Sequence, residues 1–199
     1  MRFKFLPTKI EGAYIVEPPI RQDERGLFSR VWCKEQFEEF GLESDFLQSN
    51  QSLSLKAGTI RGLHYQVPPH DEAKLIRCIY GSLFDVVVDV RPDSPTYLQW
   101  MGTILTAESY RMLYMPPGLA HGFQTLEDGT QIMYMVSKLY HPEAERGIRW
   151  NDPMFNIEWP EPNAPILSEK DMQWPDFSPD LPLIPAEKVT EYAWHGKDQ

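Results

Sequence analysis

The run Ser82-Leu-Phe-Asp-Val-Val-Val-Asp-Val90 constrains the fold more than any other part of the chain. It sets Phe84, Val86, Val88 and Val90 on one face and Asp85, Val87 and Asp89 on the other. That is the two-residue period of a strand; a helix with about 3.6 residues per turn would scatter both sets around its axis. Arg91-Pro-Asp-Ser-Pro95 then ends the run, since proline cannot donate to a ladder. Further strands are predicted at Ala13 to Glu17, Leu47 to Leu53, Leu75 to Ile79, Leu98 to Leu105, Arg111 to Met115, His121 to Thr125 and Gln131 to Ser137. Lys56-Ala-Gly58, Pro116-Pro-Gly118 and Glu127-Asp-Gly-Thr130 supply turns between them. Many short strands at such spacing predict an all-β sandwich or small barrel.

One peripheral helix is predicted over Lys34 to Phe40, with Phe37 and Phe40 three apart and Gly41 as its stop. From Trp159 onward the chain carries seven of its 18 prolines, which predicts no regular structure there until about Pro185. Ala186 to Trp194 reads equally as a short terminal helix or a frayed tail. At 199 residues the chain fits one domain and buries about 70% of its unfolded surface without staples. Its two cysteines, Cys33 and Cys78, form no CxxC pair and read as buried thiols. No apolar run matches a signal peptide or the roughly 18 residues of a membrane span, so a soluble cytoplasmic protein is expected. A formal net charge of −10 disfavours nonspecific binding to nucleic acid or an anionic membrane, while leaving room for a local basic pocket.

Among five histidines, two stand in suggestive places. His64 follows a glycine in the strand-like run Arg61-Gly-Leu-His64-Tyr-Gln66, and His121 ends Pro116-Pro-Gly-Leu-Ala-His121. Pro-x-Gly-x-x-His resembles the second half-motif of the cupin superfamily, whose barrel is a double-stranded β-helix. Metal-binding cupins supply His-x-His in the first half-motif. Here it is His64-Tyr-Gln66, with His70 and Glu72 in a loop beyond Pro68-Pro69. The ligand count falls short of a facial site, so no metal is expected. His64 then reads as an acid–base residue, since an imidazole with an ordinary pKa near ~6.5 moves protons at neutral pH. Its orienting carboxylate is Asp85, Asp89, Asp152 or Asp171, and spacing does not choose among them.

Longer motifs carry a closer resemblance. They are Asp23-Glu-Arg-Gly26, Gln48-Ser-Asn50, Arg61-Gly-Leu-His-Tyr-Gln66, Lys74-Leu-Ile-Arg77, Phe84-Asp-Val-Val-Val-Asp-Val-Arg91, Ser94-Pro-Thr96 and Pro117-Gly-Leu-Ala-His-Gly-Phe123. Glu145-Arg-Gly-Ile-Arg-Trp-Asn-Asp-Pro153 and Leu167-Ser-Glu-Lys-Asp171 follow. In this order, from about residue 8 to 172, they resemble the dTDP-4-dehydrorhamnose 3,5-epimerase family of deoxysugar biosynthesis.

The resemblance implies a cupin jelly-roll barrel over 1–177 with a few short peripheral helices, and an extension over 178–199 packed on the barrel or partly disordered. It implies a nucleotide-linked 4-keto-6-deoxyhexose as substrate, its C3 and C5 protons acidified by the C4 ketone, and no cofactor. The family's base falls on His64, its carboxylate partner on Asp171, its acid on Tyr134, and the lysine at the keto oxygen on Lys74. Positions that hold the nucleotide fall on Arg25, Gln48, Ser49, Asn50, Arg61 and His121. Tyr140 matches a ring that stacks on thymine, and Glu145 and Lys170 match further substrate contacts. The family is typically a homodimer that exchanges an N-terminal strand, which would let Arg25 serve the partner's site.

Two departures stand out. The family's Arg-Gly-Phe-Phe-x-Glu is here Arg25-Gly-Leu-Phe-Ser-Arg30, and its Lys-Thr-Thr after the tyrosine is here Met135-Val-Ser137. They leave open inversion at C3, at C5 or at both, and a different nucleotide. The rival readings are a ketoisomerase or single-carbon epimerase, a noncatalytic sugar-nucleotide-binding module, and a metal-dependent cupin oxygenase.

Overall fold

The computed structural model describes residues 1–161 and 163–179. In chain order, β1 (Lys4–Pro7) and β2 (Tyr14–Glu17) precede a hairpin, β3 (Ile20–Asp23) and β4 (Gly26–Ser29), and the helix α1 (Lys34–Glu39). Then come β5 (Gln48–Ser54), β6 (Ile60–Gln66), β7 (Lys74–Tyr80), β8 (Ser82–Asp89) and β9 (Trp100–Thr106). β10 (Met112–Met115), β11 (Leu119–Thr125), β12 (Thr130–Val136) and β13 (Glu145–Gly147) follow, and α2 (Glu169–Met172) is the last helix described. Every predicted strand is present, its ends shifted by one or two residues. The strands β1, β3, β4 and β13 carry no alternation strong enough to predict.

The strands form two large antiparallel sheets, ordered β1-β2-β10-β7-β12-β5 and β13-β6-β11-β8-β9, with β3-β4 apart from both. The large sheets face each other as a jelly roll. Ile76, Leu113, Met115 and Ile132 from the first meet Leu83, Val87, Leu105 and Phe123 from the second in one buried cluster. The first sheet's outer face is covered by Phe3 and by Phe37 of α1. The second sheet's outer face is covered by Phe155, Trp159 and Phe177 from the chain after β13.

That last layer inverts a simple reading of β8. Its apolar face, with Phe84, Val86, Val88 and Val90, packs outward against the C-terminal segment. The face bearing Asp85 and Asp89 points inward with Val87, and both carboxylates are fully buried. Burial of each large apolar side chain contributes roughly 1.5–3 kcal/mol, so covering both faces stabilises the strand twice over.

β6 departs from regular pairing where it matters most. His121 pairs with His64, but Phe123 pairs with Arg61, so two steps on β11 span three on β6. The extra residue turns Arg61 and His64 to the same side, which strict alternation would forbid. Gly62 makes this feasible, at φ +114 with Gly122 Cα and His121 O only 2.6 Å from where a Cβ would sit.

The proline content after Trp159 predicts no regular structure, and α2 corrects this. The turn forms between Pro165 and Pro175 because Ser168 caps it, its Oγ accepting the Asp171 N–H at 3.0 Å. The segment proposed as a terminal helix, 186–194, lies outside the described residues, as does the 178–199 extension from residue 180 on.

Candidate active site

A cavity of about 270 Å³ opens between the two large sheets. Lys74, Ile76, Ile132, Tyr134 and Ser52 line it from the first sheet, and Arg61, His64, His121 and Phe123 from the second. Ser168, Lys170 and Asp171 complete the wall from α2 and its cap.

The structure selects one carboxylate for His64. Its Nε2 shares a 2.5 Å hydrogen bond with Oδ1 of Asp171. Asp171 is buried, and burial alone would raise its pKa. The bond to His64, the Ser168 hydroxyl at 2.9 Å and the Trp174 indole N–H at 3.3 Å outweigh this and hold the carboxyl below its ordinary value. The other three candidates are engaged elsewhere. Asp89 binds Arg91, Ser94 and Thr96, and Asp152 accepts the backbone N–H groups of Met154 and Phe177. Asp85 reaches His121 Nε2 at 2.5 Å, so each of the two cavity histidines, on neighbouring strands, carries a carboxylate behind it.

Across from His64, on the opposite sheet, stand Tyr134 and Lys74. Burial pushes the Tyr134 phenol above its usual pKa, with Arg61 pulling it down and Glu72 pushing it up. The phenol therefore keeps its proton at neutral pH. Lys74 is largely buried and pairs with Glu72 at 3.0 Å. Arg61 is braced by the Ser54 hydroxyl at 3.3 Å and the Leu53 carbonyl at 3.2 Å. Lys170 donates to both oxygens of Glu145 at 2.6 Å, and the Tyr140 hydroxyl donates to the same carboxylate at 2.6 Å. Burial and Glu145 together raise the Tyr140 phenol's pKa. A chain with ten excess negative charges thus gathers Arg61, Lys74 and Lys170 around one cavity.

The side chains of the cupin half-motif are engaged with one another. Gln66 donates to Glu72 and to the His70 carbonyl and accepts the His141 N–H. The His70 ring stacks on His141 at 3.6 Å. Among the described residues no three His, Cys, Asp or Glu side chains gather as a metal site would need.

A search of protein families matches residues 7–179 to the dTDP-4-dehydrorhamnose 3,5-epimerase family. The chain belongs to this family. The family's enzyme from Shigella flexneri is 44% identical over 173 residues, covering 86% of this chain and 94% of that one. The Legionella pneumophila dTDP-6-deoxy-D-glucose-3,5-epimerase, solved with dTDP-4-keto-L-rhamnose, has a TM-score of 0.84 at 37% identity, covering 93% of this chain and all of that one. A 3'-monoepimerase from Streptomyces bikiniensis, solved with dTDP-quinovose, has a TM-score of 0.79 at 36% identity, covering 88% and 87%.

Of the residues that the epimerase resemblance singles out, His64, Asp171, Tyr134, Lys74, Arg61, His121 and Lys170 meet at the cavity. Tyr140 and Glu145 adjoin it through Lys170. Gln48 and Asn50 share the inner face of β5 with Ser52, whereas Ser49, paired with Met135, faces the other way. Met135 is therefore on the opposite face of β12 from Tyr134, and the departure there does not change the cavity wall. Arg25 sits at the exposed β3–β4 turn, bound to Asp23 at 2.6 Å, and does not line the cavity. Sequence reasoning missed Ser52, Ser168 and Trp174. Ser168 alone had a legible signal, a serine three residues before Asp171 in a capping position.

Proposed function

We propose that this isomerase epimerises a dTDP-linked 4-keto-6-deoxyhexose, with His64 as base, Asp171 as its orienting partner and Tyr134 as acid. The observation that carries the reading is the placement of His64 and Tyr134 on opposing sheets of one cavity. A base on one wall takes the proton next to the C4 ketone. The electron pair moves to the ketone oxygen as an enolate, and the phenol returns a proton to the other face of the carbon. Asp171 holds the imidazole and balances the imidazolium charge. Lys74, preorganised in the same cavity, meets the enolate oxygen and contributes ~10²–10³-fold in rate.

At about 270 Å³ the cavity lies just below the roughly 300–1,000 Å³ typical of ligand sites, which suits the sugar alone. The diphosphate and nucleoside then extend out of it past His121 and Arg61 toward Asn50, Gln48 and the exposed ring of Tyr140. Arginine forks suit phosphate oxygens. We further read the protein as a cytoplasmic homodimer. The β3–β4 hairpin supports the dimer: it leaves the barrel with Ile20, Leu27 and Phe28 exposed and Arg25 at its tip. The free thiols Cys33 and Cys78 support a reducing compartment.

The test is incubation with dTDP-4-keto-6-deoxyglucose in D₂O, followed by proton NMR at C3 and C5. Exchange at both carbons with an L-configured product is the expected result. Exchange at one carbon alone would reassign the protein to a single-carbon epimerase, a reading that its likeness to the 3'-monoepimerase keeps in view. No exchange with this or other nucleotide-linked keto sugars would sink the epimerase reading.

A further inference from the structure

We propose that Trp174 is a positioning residue for the reaction, holding the His64–Asp171 pair together from behind. The proposal rests on the epimerase reading, which gives that pair its role.

Asp171 is supplied by α2, a helix of four residues, too short for its own ladder to fix a carboxylate. Trp174 is buried and touches every part of the assembly that must stay in register. Its indole N–H donates at 3.3 Å to Asp171 Oδ1, the same oxygen that faces His64. Its ring meets the His64 imidazole edge-on, with centroids 5.9 Å apart and planes at 63°. The ring also lies flat against Gly147, where a Cβ would fall 1.9 Å from Cδ2. Gly147 is the β13 residue paired with His64 on β6, so the indole rests on the backbone that carries the base. Beyond it, the Arg149 N–H donates to the Pro175 carbonyl at 2.8 Å, fixing the next residue to the barrel. Lys170 Nζ stands 5.6 Å from the ring centroid, so the indole also sits beside the lysine that lines the cavity.

One side chain therefore spans the carboxylate, the imidazole and the strand beneath them. The N–H also draws charge from Oδ1, which weakens that oxygen's hold on an imidazolium proton. The other ionisable groups around the pair are Lys170 with Glu145 on β13, Arg61, and His121 with Asp85 on its own side, and Lys74 with Glu72 and Tyr134 across the cavity.

The test uses Trp174→Phe, which keeps a ring against Gly147 and removes the N–H. We expect kcat to fall about tenfold, the effect of one hydrogen bond on a transition state, with KM within about twofold. The acidic limb of kcat/KM moves to higher pH. The same shift is expected in the His64 imidazole titration followed by NMR without substrate, and that readout stands whether or not the epimerase reading does. Unchanged kcat and an unchanged His64 titration overturn the proposal. So does a loss of activity that tracks loss of folded protein with the titration unmoved. Should the variant not fold, the wild-type indole N–H resonance of Trp174 decides: it must shift with the same midpoint as His64, and a flat trace overturns the proposal.

Discussion

In the proposed mechanism His64 and Tyr134 stand at the two ends of a proton path, and a single substitution would separate removal from return. Tyr134→Phe is expected to slow inversion by about 10²-fold or more while solvent deuterium still enters the substrate, because the base remains. His64→Asn is expected to stop both, with dTDP affinity by calorimetry unchanged within about twofold. A fully active Tyr134→Phe enzyme, read by NMR and mass spectrometry, would remove the acid assignment. His64 was legible because it sits inside one of the long ordered motifs, whereas Tyr134 lies outside them and was placed only by the family resemblance. The partner of His64 was not legible from spacing, since four aspartates competed and only packing separated them. Trp174 left no trace at all, because its role depends on Gly147 being bare beneath it, a fact of tertiary approach. The hydroxyl of Ser52, buried in the cavity wall with no hydrogen-bond partner among the described residues, was equally silent in a strand of polar residues.

Elements were read well where alternation was strong and poorly where capping or irregularity decided. β8 was plain from its valines, but which of its faces looks inward depended on the chain after β13, far away in sequence. The bulge in β6 could not be read from Arg61-Gly-Leu-His64, yet it brings two cavity residues to one wall. Gly62→Ala tests it. A Cβ driven into two backbone atoms at a positive φ is expected to cost about 2–4 kcal/mol. That lowers the thermal midpoint by roughly 5–15 °C in a scanning calorimeter. Little change would mean that the strand can relax around the bulge. Asp89, at the end of β8, gives an element-level dependence on pH. Burial alone would raise its carboxyl, but Arg91, Ser94 and Thr96 overcome this and hold it at about 2. Its folded value lies below the ordinary ~3.9, so its contribution, on the order of 2 kcal/mol, is complete above about pH 4 and is lost as pH falls through about 2. Urea unfolding between pH 5 and 2 (roughly the window of that titration) should show this slope, and Asp89→Asn should flatten it.

At the scale of the molecule, β3 and β4 are the only strands among the described residues that belong to neither large sheet, and their apolar side chains are largely exposed. If the proposed dimer forms through this hairpin, Phe28→Asp, at the most exposed of its apolar positions, shifts sedimentation toward monomer while circular dichroism stays unchanged. An unchanged sedimentation profile would remove the hairpin from the dimer contact. No described helix is long and apolar enough to cross a membrane, and Arg61, Lys74 and Lys170 line the cavity of a chain with a formal net charge of −10. That cavity has a fixed side and a hinged side. Strands supply His64, Tyr134 and Lys74, but Asp171 arrives on a single turn of helix clasped to the barrel by Trp174 and Ser168. Local opening of such a clasp takes less free energy than melting the sheets. Warming should therefore silence the enzyme before it unfolds, with turnover vanishing reversibly several degrees below the collapse of β-signal, and the barrel persisting as an intact but idle vessel.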